Sequence, residues 1–189
     1  MEYREKTYLW HKVHSMRLIS QIELFCDDGS EDVHEKLVRA VVEDDIDTVC
    51  YFLAMRECDM NPPTKHGWSP FHISIILKRE TICNLFVNSN GLHGDIFNML
   101  GPSGEQPLHV AAAMGIDFET FFRNYFTHGG SKPCANTFDF TLKTPLEYAI
   151  AYRQPRSIRC LTVHGASIRY IPRHLLPSMD EIVKTKYNI

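Results

Sequence analysis

The sequence predicts an all-α fold, a solenoid of stacked helix–turn–helix units joined by long finger loops. Three observations carry this expectation. Related stretches recur around Pro70, Pro107 and Pro145, which lie 37 and 38 residues apart. Each proline begins a short apolar run, and the first turn of a helix tolerates proline because its missing N–H would be unpaired there anyway. Each run then breaks at a glycine or a polar pair and gives way to apolar residues at helical spacing.

In chain order, residues 1–30 precede the repeats. Within them "HSMRLISQIELFC" reads as one amphipathic capping helix ended by Asp28–Gly29. The first unit, 31–63, is the weakest copy. Lys36 holds the proline position, 34 residues before Pro70, and Asp32 with Glu35 reads as a capping box. Its helices should break at Asp44–Asp45. The second unit, 64–100, contains "GWSPFHISIILKRETICNLFV" and breaks at Lys78–Arg79. Ser69 is placed to cap its first helix.

The third unit, 101–138, contains "GEQPLHVAAAMG", whose alanines let neighbouring helices approach closely. Gly115 ends its first helix, and Phe118, Phe121, Phe122 and Phe126 mark the second at a period near 3.6. The fourth unit, 139–170, begins from "LKTPLEYAIA". Thr144 with Glu147 reads as a capping box, Arg153–Gln154 as the break, and Ile158, Leu161 and Thr162 as the second helix. "HGG" and "HGAS" supply glycines for helix exits. The tail 171–189 carries Pro172 and Pro177 and reads as a terminal helix or extended segment.

In register, "QPLHVAAAMG", "SPFHIS", "TPLEYAIA", "HGASI" and the "DMN" at 59–61 resemble the ankyrin repeat over about residues 34–170. The resemblance implies that His72 and His109 make hydrogen bonds between adjacent repeats rather than form a catalytic or metal site. Glu147 stands at the same position in the last copy. The connections at 88–103 and 127–143 exceed what the family's roughly 33-residue period needs, so enlarged fingers are expected.

Composition is ordinary for a globular chain: 189 residues, 44% hydrophobic, 23% charged, net charge -3. Charge is unevenly spread. Residues 1–64 hold 7 Lys and Arg against 14 Asp and Glu, whereas residues 140–189 hold 8 against 3. The overall balance does not point to nucleic acid. The basic residues near the C-terminus (Arg153, Arg156, Arg159, Arg169, Arg173, Lys184, Lys186) lack the aromatic interleaving that stacks bases, and a solvated helix face is expected.

No signal-peptide pattern or membrane-spanning apolar run is evident. Cys26, Cys50, Cys58, Cys83, Cys134 and Cys160 form no C-x-x-C pair, which fits an intracellular chain, cytoplasmic or nuclear. His11 and His14 do not extend to a zinc signature, and no nucleophile elbow, P-loop or dinucleotide fingerprint occurs. No catalytic, cofactor or metal site is expected. Cys50, Cys83 and Cys160 are expected to pack in the core.

The resemblance places partner contacts on the variable positions of fingers and first-helix ends. Those are Lys65, His66, Trp68, Ile76 and Leu77, then Glu105 and Met114, then Phe140, Lys143 and Tyr152. Pro102, Ser103, Ala113, Thr141 and Ala151 fall on further positions of the set, with Val42 and Glu43 in the first copy. The apolar members would form a stripe of the kind that marks interfaces. The expected role is a small stand-alone adaptor or regulatory subunit, with a kinase or cell-cycle complex favoured. The alternative is a substrate-recruiting subunit of a cullin-type ubiquitin ligase, because "HLLPSMDEIVKTKY" faintly resembles the second half of a SOCS box.

Overall fold

The computed structural model describes residues 33–55, 67–89, 96–115, 134–179 and 181. Its helices are α1 (Val33–Glu43), α2 (Ile46–Met55), α3 (Pro70–Ile76), α4 (Glu80–Asn88), α5 (Pro107–Met114), α6 (Pro145–Ala151) and α7 (Pro155–Val163). Short 3-10 turns occupy Ile96–Asn98, Ile168–Tyr170 and Arg173–Leu175. The capping segment 1–30, Asp32, the "DMN" exit and the phenylalanine-rich second helix of the third unit lie outside the described residues.

The first helices stack in chain order, α1 on α3, α3 on α5 and α5 on α6. Each of α1, α3 and α6 also packs on the helix that follows it, and α2 packs on α4. Packing, rather than propensity, makes these helices. Helix α3 is seven residues long and holds β-branched Ile73, Ile75 and Ile76, so it is too short and too stiff to persist alone in water. Every one of its residues is buried. Ser69 Oγ accepts the His72 N–H at its start, and Thr144 Oγ1 accepts the Glu147 N–H at the start of α6.

The core is continuous through the stack. Phe71 meets Phe86 and Phe97 edge-on at centroid distances of 5.7 and 6.1 Å. Ala111, Ala112 and Ala149 are fully buried where α5 and α6 lie together. The described end of the 88–103 connection does more than reach outward. Ile96, Phe97 and Met99 turn into the core, at 1%, 1% and 8% exposure.

Each first helix ends in a left-handed residue at one repeat position: Asp44 (φ 62°), Lys78 (57°), Gly115 (60°) and Arg153 (52°). The next N–H then reaches back to the helix, Asp45 to Ala40, Arg79 to Ser74 and Gln154 to Ala149, at 2.8–2.9 Å. Only Gly115 adopts this backbone without a steric penalty. The finger turns repeat the pattern with Gly67 and Gly104, both at φ 82°, but place Leu142 at φ 62°. Leu142 is 76% exposed, so its side chain recovers little by packing.

Opposite signs follow at two left-handed positions. Leu142→Gly relieves a penalty of order 1–2 kcal/mol and adds part of it back in chain entropy, for a net gain of about 0.5–1 kcal/mol. Gly115→Ala places a Cβ against the Gln154 carboxamide and costs about 1–2 kcal/mol. Urea denaturation midpoints of the two variants check both.

Candidate partner-binding face

His72 and His109 form a ladder. His72 Nε2 donates to the Glu105 carbonyl at 3.1 Å, and His109 Nε2 donates to the Lys143 carbonyl at 3.2 Å. Each acceptor also closes the turn of its own finger: the Gly101 N–H bonds Glu105 O at 2.7 Å, and the Asp139 N–H bonds Lys143 O at 3.0 Å. The partners assign the tautomer. Backbone Gln106 N–H donates to His109 Nδ1 at 3.1 Å, so Nδ1 is bare and the proton sits on Nε2. Ser69 Oγ lies 2.8 Å from His72 Nδ1 and fills the same role. Both rings are fully buried. Burial pushes His72 down to about 3, against the favourable bond to Glu105 O and together with repulsion from His109. Burial lowers His109 also, against its bond to Lys143 O.

The two described fingers share one turn and satisfy it differently. Gly104 N–H bonds Gly101 O at 3.0 Å, and Leu142 N–H bonds Asp139 O at 3.1 Å. In the earlier finger, Glu105 Oε2 takes the Ser103 N–H at 2.8 Å. In the later one, Asp139 Oδ1 takes the matching Thr141 N–H at 2.8 Å and the Lys143 N–H at 2.9 Å. Thr141 Oγ1 and the Tyr148 hydroxyl donate to the same carboxylate, each at 2.8 Å. Burial opposes the Asp139 charge, but these donors outweigh it and hold the group below its ordinary value. The fingers are joined by Phe140 N–H to Ser103 O at 2.9 Å, with the Phe140 ring over Gly104.

A second ladder runs along the opposite end of the first helices. Arg79 Nη2 donates to Val42 O at 2.7 Å, and Gln154 Nε2 donates to Ala113 O at 3.1 Å. The two donors hold the same repeat position, and so do the two acceptors.

The sequence-derived contact positions divide by exposure. Lys65 and His66 lie outside the described residues. Phe140, 71% exposed, and Lys143 stand open on the later finger. Trp68, Leu77, Glu105 and Tyr152 are half-buried. Trp68 lies edge-on to His72 at 5.5 Å with its ring against Gly101, and Tyr152 lies beside Tyr148 at 6.2 Å. Ile76 and Met114 are buried at 9% and 2%, so they shape this face from beneath.

Cys83 is buried beside Ser74 Oγ at 3.2 Å, and burial pushes its thiol up to about 12, unsuited to nucleophilic chemistry. Cys50 is exposed and Cys160 half-buried, so the expected core packing holds for Cys83 and not for Cys50. The cause is register. Cys83 follows Pro70 by 13 positions, Cys50 follows Lys36 by 14 and Cys160 follows Pro145 by 15, and each step turns a helical residue by about 100°.

Sequence reasoning passed over three residues that organise this face. Asp139 ties the later finger, and Leu142 projects from its tip. Asn136 clamps the following exit, donating to Gly165 O at 3.1 Å and accepting the Ser167 N–H at 2.7 Å. A signal for Asn136 was present, because Asn61, Asn98 and Asn136 each stand eight residues before a helix-capping position.

Stacked helix pairs joined by side-chain ladders define a helical repeat scaffold. The solved ankyrin repeat domain of Bcl-3, a member of the IκB protein family, matches with a TM-score of 0.67 at 17% identity, covering 82% of this chain and 71% of that one. The fold is an ankyrin-repeat solenoid. No protein-family model and no curated protein sequence matches the chain.

The buried histidines set a pH dependence. Their folded-state pKa values lie below the unfolded value near 6.5, so only the unfolded chain takes up protons as pH first falls. Stability is full above about 6.5 and declines below it, toward about 3 for His72. The slope should approach about 1.4 kcal/mol per pH unit for each histidine. His109→Gln should cost about 1–2 kcal/mol at pH 7.5 and flatten the decline between pH 6.5 and 5. Urea titrations at several pH values measure both.

Proposed function

We propose that the chain is a non-enzymatic protein-interaction module, an adaptor or regulatory subunit, holding its partner on the face made by the fingers and the first-helix ends. The observation that carries this reading is the later finger. Its backbone is braced internally through Asp139, yet it presents Phe140 at 71% exposure. A large apolar side chain held rigidly in water contributes little to folding and suits a pocket on a partner.

The finer reading is a regulatory subunit of a kinase or cell-cycle complex, in the cytoplasm or nucleus. No described helix is long and apolar enough to cross a membrane. The tail favours this reading over a ligase-recruiting box, because Leu175, Leu176 and Met179 already pack against the hydrophobic core.

Capture with the immobilised chain, followed by mass spectrometry, tests the module. Leu77→Ala with Tyr152→Ala should lose the retained proteins while stability falls by about 1–2 kcal/mol. Val163→Ser, at a 75% exposed residue ending α7, should retain them. Retention by the double variant, or loss in Val163→Ser, would overturn the assigned face. Recovery of kinase subunits supports the finer reading, and recovery of elongin and a cullin overturns it.

A further inference from the structure

The tip of the later finger carries two large exposed apolar side chains, Phe140 at 71% and Leu142 at 76%. Phe138, Ile168 and Tyr170 continue along its flank at 45%, 52% and 50%. Phe138 and Tyr170 meet edge-to-face at 5.2 Å, and the Asn136 clamp ties the 165–167 segment to the residues leading into the finger. The finger and the exit segment are therefore joined through Phe138 and Tyr170.

Leu142 is costly in two respects. It occupies a left-handed position where the other fingers have glycine, and it exposes its side chain there. Folding gains nothing from that choice, whereas a partner gains an anchor whose conformation is already fixed. The Asp139 bonds to Thr141 and Lys143 brace the backbone on both sides of it.

Charge selects the occupant. Lys143 adjoins the tip, Arg169 stands between Ile168 and Tyr170, and Arg173 follows, all three exposed. The nearby carboxylates do not offset them fully. Asp139 is 3% exposed and engaged with its own turn. Glu147 is half-buried and interacts with Lys143 and His174, so it offsets part of that charge. Residues 140–189 hold eight Lys and Arg against three Asp and Glu, whereas the end of α1, the turn after it and the start of α2 expose Glu43, Asp44, Asp45 and Asp47.

We propose that this finger and the exit segment beside it dock an apolar segment of a partner protein flanked by acidic residues, with Leu142 and Phe140 as anchors. The proposal rests on the interaction-module reading and adds the partner's chemistry to it. The basic surround steers the acidic flanks, and the apolar side chains provide the contact that persists in salt.

Fluorescence anisotropy with the full chain tests this. The probes are a labelled peptide of about twelve residues mixing Leu and Phe with Asp and Glu, the same peptide with Lys replacing the acids, and a single-stranded RNA. The acidic peptide should bind in the micromolar range and weaken as salt rises, while the other two should not bind. Leu142→Gly should weaken binding about tenfold although it stabilises the fold, so misfolding cannot account for the loss. Phe140→Ala and Arg169→Glu should act in the same direction.

Equal binding of the acidic and basic peptides, preference for RNA, or unchanged affinity in Leu142→Gly would overturn the proposal. So would self-association in sedimentation that Leu142→Gly abolishes, which would assign the surface to a second copy. The face assigned in the broader reading fails separately, through the Leu77 and Tyr152 capture experiment.

Discussion

The interaction on which the stack depends is the bond from a buried histidine to the carbonyl that closes the next finger. That carbonyl has two lone pairs. One accepts from its own turn, and the other accepts from an imidazole one repeat earlier. A single oxygen therefore sets both the shape of a finger and its distance from the preceding helix. The imidazole is suited to this because it is bifunctional when neutral. Nε2 reaches forward to the next repeat while Nδ1 is satisfied at the start of its own helix. Burial enforces the neutral form that this geometry requires.

The opposite end of each first helix obeys a parallel constraint. The chain must reverse into the second helix in few residues, and a left-handed residue does this at every described repeat. Glycine takes the position once; Asp44, Lys78 and Arg153 hold it elsewhere despite the steric penalty. Compensation is visible in the next residue at two of them. Arg79 and Gln154 each donate to a carbonyl of the preceding repeat. Arg79 also pairs with Asp44 at 3.2 Å, a surface ion pair of small worth beside the backbone bond. Register is thus fixed at two separated points on a junction, which resists rotation as well as separation.

A scaffold held in this way can display side chains without using them for its own stability. The finger around Asp139 does so most clearly, since its polar groups are satisfied within the turn while Phe140 and Leu142 face water. In the fourth repeat Glu147 stands where the second and third have histidine. Its neighbourhood includes Lys143 and His174. The charge asymmetry of the sequence becomes positional, with an acidic first repeat and a basic last one.

The sequence by itself determined the repeat and its anchors, and its resemblance to the ankyrin repeat implied the role of the two histidines. Prolines, the Ser69 and Thr144 caps and helix breaks act through neighbours a few residues away, so their consequences can be read from local spacing. Tertiary structure decided which positions of the contact face are open. Ile76 and Met114 are buried while Phe140 stands exposed, although all three share the apolar pattern. It likewise decided that Leu142 takes a backbone usually reserved for glycine. Spacing gives the angle of a side chain around its own helix. What covers that side chain comes from a repeat more than thirty positions away in sequence.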